Sequence, residues 1–159
     1  MKILPASVRQ AAIRFCRDVF AERAIARREE LTRSAAPVSL HMVVGHEMLR
    51  MGLLTLRSFE FHTRQCWSPI IHDDGTMTDH DVGELQRLFP DATVIRRAQA
   101  DAELAEALAG HPVCRENRLK HHWFLKVFDT RHYAAHDHYI VMDSDIVFFR
   151  RPDFLLQWI

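Results

Sequence analysis

Short apolar runs rich in β-branched residues recur along the chain beyond residue 37, and each run is closed by glycine or by charged residues. Runs of about four to eight such residues between turn-forming residues are typical of buried β-strands. We therefore predict strands at Val38–Val44, Ser68–His72, Thr93–Arg96 and His138–Met142.

Helical spacing of apolar residues fills the intervals between these strands. The segment Glu47–Thr63 has one apolar side, which consists of Met48, Leu49, Leu53, Leu56 and Phe59. Thr78 is followed three residues later by Asp81, which is the typical pattern of a helix N-cap. The helix that Thr78 opens runs to Leu88.

Two more helices complete the pattern. The alanine-rich segment Asp101–Ala109 is ended by Gly110. The helix Asn117–Arg131 has one face formed by Leu119, Trp123, Val127 and Thr130. Strands that alternate with helices in this way predict an α/β fold with an open, mainly parallel, Rossmann-like sheet. We expect right-handed crossovers that place helices on both faces of the sheet.

The first 36 residues follow a different pattern. Between Pro5 and about Arg33 an arginine-rich face opposes an apolar stripe formed by Val8, Ala12, Phe15, Cys16, Val19 and Phe20. Such a basic amphipathic helix packs on its own domain or on a partner, or it lies on an anionic membrane surface, and the sequence leaves both alternatives open. We predict an N-terminal helical segment at residues 1–36 and an α/β domain at residues 37–159.

Composition narrows the classes of function. A chain of 159 residues supports one ordinary domain, and its 21 basic residues balance its 21 acidic residues, so the net charge gives no reason to expect a nucleic-acid partner. The three cysteines are far apart and predict neither a disulfide framework nor a zinc ribbon. Because no apolar run reaches membrane-spanning length, we expect a cytoplasmic protein, with the N-terminal helix as the candidate for a peripheral contact with the inner face of a membrane.

Acidic residues follow two of the predicted strands. Asp143 and Asp145 come directly after the fourth strand, and because side chains alternate along a strand we expect these carboxylates to point the same way and to be at least half buried. Asp73 and Asp74 follow the second strand. Ligands of open parallel sheets bind beyond the carboxyl ends of the strands, where the strand order reverses. If the first and fourth strands are neighbours, Val44–His46 lines the same site.

The acidic pair at 143 and 145 has two interpretations. Carboxylate oxygens are hard ligands that suit Mg²⁺ or Mn²⁺, and these ions neutralise a diphosphate leaving group while its bond to carbon breaks. The alternative is that the acids cap a turn and form salt bridges with Arg150 and Arg151. Buried charges are normally paired or bound to metal, and this favours the interpretation as a metal and phosphate site.

Four stretches of the chain resemble a known family. They are VSLHMVVGHEMLRMGLLTLRSF (Val38–Phe59), IIHDDGT (Ile70–Thr76), RLKHHWFLKVFD (Arg118–Asp129) and YIVMDSDIVFFRRP (Tyr139–Pro152). With them the chain, from about Val38 onward, resembles a glycosyltransferase of the A-type fold. That class uses nucleoside-diphosphate sugars and has a D-x-D motif. The resemblance implies a sugar transferase with Mn²⁺ or Mg²⁺ as its cofactor.

The resemblance also implies roles for individual residues. Asp145 would be the direct metal ligand. Asp143 would help to hold the metal or the ribose, with Ser144 beside it in the nucleotide-sugar site. Asp73 would meet the nucleobase, near Asp74, Val44, Gly45 and His46.

Lys126 is a further candidate for the same site. It lies on the predicted helix face that is turned toward the sheet, where a lysine is unexpected. It would bind the diphosphate or the sugar, and the alternative is an ammonium group that extends to solvent. We expect a nucleoside-diphosphate sugar as donor, a uridine diphosphate sugar first, and an acceptor that the sequence does not identify.

The end of the sequence differs from the family's pattern. The stretch FLLQWI (Phe154–Ile159) begins a strongly apolar helix. In the family, a second half supplies the acceptor site and the catalytic base of the inverting members. We therefore expect the chain to be the nucleotide-binding half of a longer enzyme and to be inactive in sugar transfer by itself.

Other functions remain as alternatives. YIVMDSDIVFF also fits the first motif of haloacid-dehalogenase-type phosphatases, in which Asp143 would be the nucleophile and Asp145 the general acid and base. That motif normally opens its fold, whereas here it follows the other strands. A nucleotidyltransferase would need a glycine-rich phosphate loop after the first strand, where this chain has only Gly45. A module that binds a nucleotide or a partner without chemistry is the third alternative.

Overall fold

The structure is a computed structural model that describes Arg23, Ile25, residues 31–36 and residues 38–159. Most of the predicted N-terminal amphipathic helix lies outside these residues and stays a prediction, but the helix does not continue to Arg33, because Thr32–Arg33 forms a β-strand. Ile25 is buried in the main core, and its carbonyl accepts a hydrogen bond of 3.1 Å from Arg57 Nε.

Six strands are present in the described part of the chain: β1 (Thr32–Arg33), β2 (Ser39–Val44), β3 (Gln65–Cys66), β4 (Pro69–Asp73), β5 (Thr93–Ile95) and β6 (Tyr139–Met142). Four of them form a parallel sheet in the order β5–β4–β2–β6, and β1 pairs with β3 in a small separate sheet. The register aligns Val44 with Asp73 and Met42 with Met142. The four predicted strands are thus confirmed, whereas the short β1–β3 pair had no hydrophobic pattern that would predict it.

The helices of the described residues are α1 (Leu49–Thr63), α2 (Asp79–Leu88), α3 (Arg97–Ala107), α4 (Pro112–Lys120), α5 (Leu125–His132) and α6 (Asp153–Trp158). Single 3₁₀ turns precede α1 and α5, at His46–Met48 and His122–Phe124. Helix α2 begins with the predicted cap, a reciprocal pair of hydrogen bonds between Thr78 and Asp81. In this part of the chain no helix is both long enough and apolar enough to cross a membrane.

Helices cover both faces of the sheet. On one face Met42 and Val44 of β2 lie against Gly52 of α1, in a core that also contains Leu85 of α2. On the opposite face a second core combines Ala100 and Leu104 of α3 with residues near the end of α5. The sheet is therefore the middle layer of an α/β/α arrangement, as the alternating pattern predicted.

The prediction of one continuous helix at residues 117–131 is wrong. The chain leaves helical geometry at His121, with φ −131° and ψ 114°, and a 3₁₀ turn separates α4 from α5. The break changes the helical phase, so that Leu119, Trp123 and Val127 are exposed, whereas Arg118, Leu125, Asp129 and Thr130 are buried. A buried ion pair, Arg118 with Asp129, replaces the apolar face that the sequence suggested.

Candidate functional site

The strand order reverses between β2 and β6, and a cleft of about 240 Å³ lies at the carboxyl ends of these two strands. Its lining is formed by Val43, Val44, Gly45, Met48, Asp74, His122, Trp123, Lys126, Asp143, Ser144 and Asp145. Seven of the nine site residues expected from the sequence lie together here. The two others are not part of the lining, although each is next to a lining residue in the chain: His46 follows Gly45, and Asp73 precedes Asp74.

The two acids of the D-x-D motif lie in a turn and not on a strand. Strand β6 ends at Met142, where its pairing with β2 also ends, and Asp143 and Asp145 are both exposed. The prediction that the pair is at least half buried on a common strand face is wrong, because the ladder stops before the acids. The apolar run that follows is not a strand either, since Phe149 is 87% exposed.

Side chains of helix α1 hold this turn in place through hydrogen bonds to its backbone. The Thr55 hydroxyl donates a hydrogen bond of 3.1 Å to the carbonyl of Ser144, and the backbone N–H of Phe148 donates one of 3.0 Å to Ser58 Oγ. Gly52 lies one helical turn earlier, and a Cβ atom there would be 3.7 Å from Ser144 Cβ and 3.1 Å from Met42 Sδ. Small and hydroxyl-bearing residues on one helix face therefore fix the turn against the sheet.

Lys126 reaches the cleft from α5 and pairs with the first acid of the motif. Its ammonium donates to Asp143 Oδ1 and lies 5.0 Å from the centre of the Trp123 ring, a cation–π distance. The Lys126 side chain is 25% exposed and that of Asp143 is 52% exposed. The alternative in which the two acids cap a turn expected salt bridges to Arg150 and Arg151. Instead, Asp143 pairs with Lys126, and Arg151 pairs with Asp153.

The opposite wall of the cleft is built from the loops after β2 and β4. Asp74 Oδ1 accepts hydrogen bonds from the backbone N–H and the hydroxyl of Thr76, at 3.0 and 2.7 Å, and Thr76 Oγ1 accepts one of 2.9 Å from the N–H of His46. These loops meet closely at Gly45, where a Cβ atom would lie 2.2 Å from Asp74 Oδ2. Glycine at this position permits the close approach.

Asp73 is directed into its own loop. Its Oδ1 accepts hydrogen bonds from the N–H groups of Gly75 and Met77, at 2.8 and 3.1 Å, and its Oδ2 lies 3.6 Å from Arg96 Nε. The side chain is buried, so contact with a nucleobase would require these bonds to rearrange. The expected role of Asp73 stays a prediction, and its observed contacts are those of a residue that shapes the loop.

His46 lies at the rim, with its ring turned toward α2. Its Nδ1 is 2.8 Å from Asp81 Oδ2, and this hydrogen bond, with the negative charge of Asp81, raises the pKa of the exposed His46 imidazole. Asp81 is at the same time the capping residue of α2. The expected role of His46 in nucleotide binding also stays a prediction.

The acidic residues of the cleft could supply part of the coordination shell of a divalent cation. Asp143 and Asp145 offer hard oxygen ligands, but within residues 38–159 no cluster of three or more His, Cys, Asp or Glu side chains could form a complete protein site. Mg²⁺ is typically bound by one or two carboxylates, with phosphate oxygens and water completing the shell. The two acids would therefore hold the cation together with a phosphate group.

The sequence did not indicate every residue of the cleft. Trp123 was missed as a lining residue because the predicted helix at 117–131 placed it on the buried face, and His122 was missed because nothing in the sequence distinguished it from a surface histidine. Trp123 and Lys126 are three residues apart, a spacing that allows a cation–π contact on one helical turn. This spacing could have indicated from the sequence that Trp123 lies beside Lys126. The anchoring residues on α1 had a weaker signal, a glycine and two hydroxyl residues spaced by three.

Comparison with known proteins does not assign the chain to a family. No protein-family model matches the chain, and no significant match was found among curated proteins or among solved structures. The functional interpretation accordingly depends on the cleft and on the residues that line it.

Proposed function

We propose that the chain binds the diphosphate of a nucleoside-diphosphate sugar, together with Mn²⁺ or Mg²⁺, in the cleft between β2 and β6, as the donor site of a glycosyltransferase. The observation that carries this proposal is the convergence of strand-end residues from β2, β4 and β6 with Lys126 at one point of the sheet. Asp145 and Asp143 would hold the cation. Bound there, the cation would neutralise the diphosphate as the bond to the sugar breaks.

The charges of the cleft support a cation-dependent ligand. Asp74, Asp143 and Asp145 against the ammonium of Lys126 leave two net negative charges when His122 is neutral. A diphosphate alone would be repelled by this lining, whereas one divalent cation balances it. Trp123, which is 64% exposed, offers an aromatic surface at the same mouth for a sugar or a base.

The phosphatase alternative has less support. Asp143 would be the nucleophile of such an enzyme, whose D-x-D motif normally opens the fold. Here the D-x-D strand is the last of the four sheet strands and lies at the sheet edge. Release of phosphate from a generic aryl phosphate, without any nucleotide, would favour the phosphatase over the transferase.

Isothermal calorimetry with uridine diphosphate, with and without Mn²⁺, tests the proposal. We expect binding that depends on Mn²⁺, and we expect Asp145→Asn to weaken it at least about tenfold because one of the two carboxylate ligands is lost. Asp137→Asn is the matched control, since Asp137 is an exposed acid outside the cleft lining. A folded protein that binds no nucleoside diphosphate with Mn²⁺, or equal affinity in the Asp145→Asn variant, would contradict the proposal.

A further inference from the structure

The salt bridge between Lys126 and Asp143 has a consequence for how ligands enter the cleft. The ammonium donates to Oδ1 of Asp143, which is one of the two oxygens that this residue could offer to a divalent cation. One carboxylate oxygen cannot serve both partners equally well, because two cations that share it repel each other. Lys126 and a cation therefore compete for Asp143.

The backbone that carries Lys126 is well anchored. Its helical neighbours Leu125 and Asp129 are each 1% exposed, and the Thr130 hydroxyl donates a hydrogen bond of 2.6 Å to the Lys126 carbonyl. Only the side chain of Lys126 is free to change its contact. The ammonium lies beside the face of Trp123, at 5.0 Å from the ring centre.

Asp145 differs from Asp143 in this respect. It lines the same cleft and is exposed, and within the described residues it takes part in no ion pair. Asp145 is therefore open to a cation in the ligand-free protein, whereas one carboxylate oxygen of Asp143 is already bonded to Lys126.

We propose that Lys126 is an exchanging cation, which pairs with Asp143 in the ligand-free cleft and transfers to the diphosphate when ligand and metal bind together. This inference rests on the proposed function and adds the mechanism by which its two ligands are coupled. A metal ion alone must displace Lys126 without compensation, and a diphosphate alone meets an acidic cleft. When both enter, Lys126 gains a phosphate partner as it gives up Asp143, so each ligand raises the affinity for the other.

The test measures Mn²⁺ binding to the 159-residue chain by electron paramagnetic resonance of the free ion, without any nucleotide. In Lys126→Met, Asp143 loses its competitor and the cleft loses a positive charge, so we expect Mn²⁺ to bind about tenfold more tightly than to the unmodified protein. Lys120→Met is the matched control, because Lys120 is an exposed lysine on α4 that pairs with Glu116 outside the cleft. It should leave the Mn²⁺ affinity within about twofold.

The second arm adds uridine diphosphate. In the unmodified protein we expect the nucleotide to tighten Mn²⁺ binding, and we expect this gain to fall at least about fivefold in Lys126→Met because the ammonium no longer transfers to phosphate. Mn²⁺ binding in Lys126→Met that is equal to or weaker than that of the unmodified protein would overturn the inference. Because this first arm contains no nucleotide, its result is independent of whether the donor is a nucleoside diphosphate.

Discussion

Arg118 is the largest side chain that is fully buried in the described residues, and its charge is compensated on two sides. Its Nε donates to both oxygens of Asp129, at 3.1 and 2.8 Å, and its Nη1 donates to Asp101 at 2.6 Å. Arg97 adds a second guanidinium, whose Nε donates to Asp101 at 2.7 Å. The network joins α3, α4 and α5 by charge, in addition to the small apolar core that α3 shares with the end of α5.

We expect Arg118→Met to destabilise the protein by about 3–5 kcal/mol, because it leaves the buried carboxylate of Asp129 without its counter-charge. Urea unfolding followed by tryptophan fluorescence measures the loss. The double variant Arg118→Met with Asp129→Asn should be less destabilised than the single variant, since no uncompensated charge remains at 129. Lys120→Met removes an exposed pair and should cost less than about 1 kcal/mol. Equal costs for the buried and the exposed pair would contradict this account.

At the scale of elements, α1 connects the core to the cleft. Its apolar residues Leu53, Leu56 and Phe59 are buried against the sheet, as their spacing predicted. The same helix holds the D-x-D turn through Thr55 and Ser58. The geometry of the cleft therefore depends on hydrogen bonds from a helix that does not itself line it, apart from the turn that precedes it.

Thr55→Val tests this connection, because it removes the hydroxyl that bonds to the Ser144 carbonyl and keeps the shape of the side chain. We expect a loss of about 1 kcal/mol in stability and a threefold to tenfold (roughly) weaker affinity for uridine diphosphate with Mn²⁺, measured by calorimetry. Thr63→Val is the control on the same helix, since the Thr63 hydroxyl bonds to the Phe59 carbonyl away from the turn. If both variants bind the nucleotide equally, α1 does not position the turn.

The elements that the sequence predicted well are those whose burial follows a simple period. Strand β2 is buried at all six positions, and the cap at Thr78 depends on two neighbouring residues only. The region from 112 to 132 could not be predicted in this way. There Arg118 and Asp129 are buried because they are partners across a break at His121, and hydrophobic periodicity contains no information about such pairs.

At the scale of the whole molecule, the position of the cleft followed from the strand order and the identity of the acids. The first and fourth predicted strands are neighbours in the sheet, which was the condition for a shared site, and this pairing brings the ends of β2 and β6 together. The exposure of the acids was not predictable, because it depends on where pairing along an edge strand stops. The partnership of Lys126 with Asp143 requires the orientation of α5 relative to the sheet, which a linear pattern does not specify.

Two buried histidines of the sheet make the stability of the protein sensitive to acid. On the face opposite α1, His41 and His72 are fully buried, with His41 Nδ1 2.9 Å from His72 Nε2 and His41 Nε2 2.8 Å from Ser39 Oγ. Burial lowers the pKa of His41 to about 4. For His72, burial and the nearby charges of His41 and Arg118 lower the pKa to about 3. The Nδ1 atom of His72 has no hydrogen-bond partner among the described residues that could stabilise a cationic ring.

The sheet should therefore lose stability in mild acid. Both imidazoles are neutral in the folded and unfolded states above pH 6.5, but below that value the unfolded chain takes up protons that the folded protein rejects. At pH 5 each histidine then costs about 2 kcal/mol, and this loss grows until the pH reaches the folded pKa values. Three other groups oppose this loss of stability, because their pKa values are raised in the folded protein. Burial raises the carboxyl pKa values of Glu60 and Asp129, and Asp81 raises the pKa of His46. We expect the free energy of unfolding, measured in urea, to fall by about 2–4 kcal/mol between pH 7 and pH 5. Unchanged or increased stability over this interval would contradict this account.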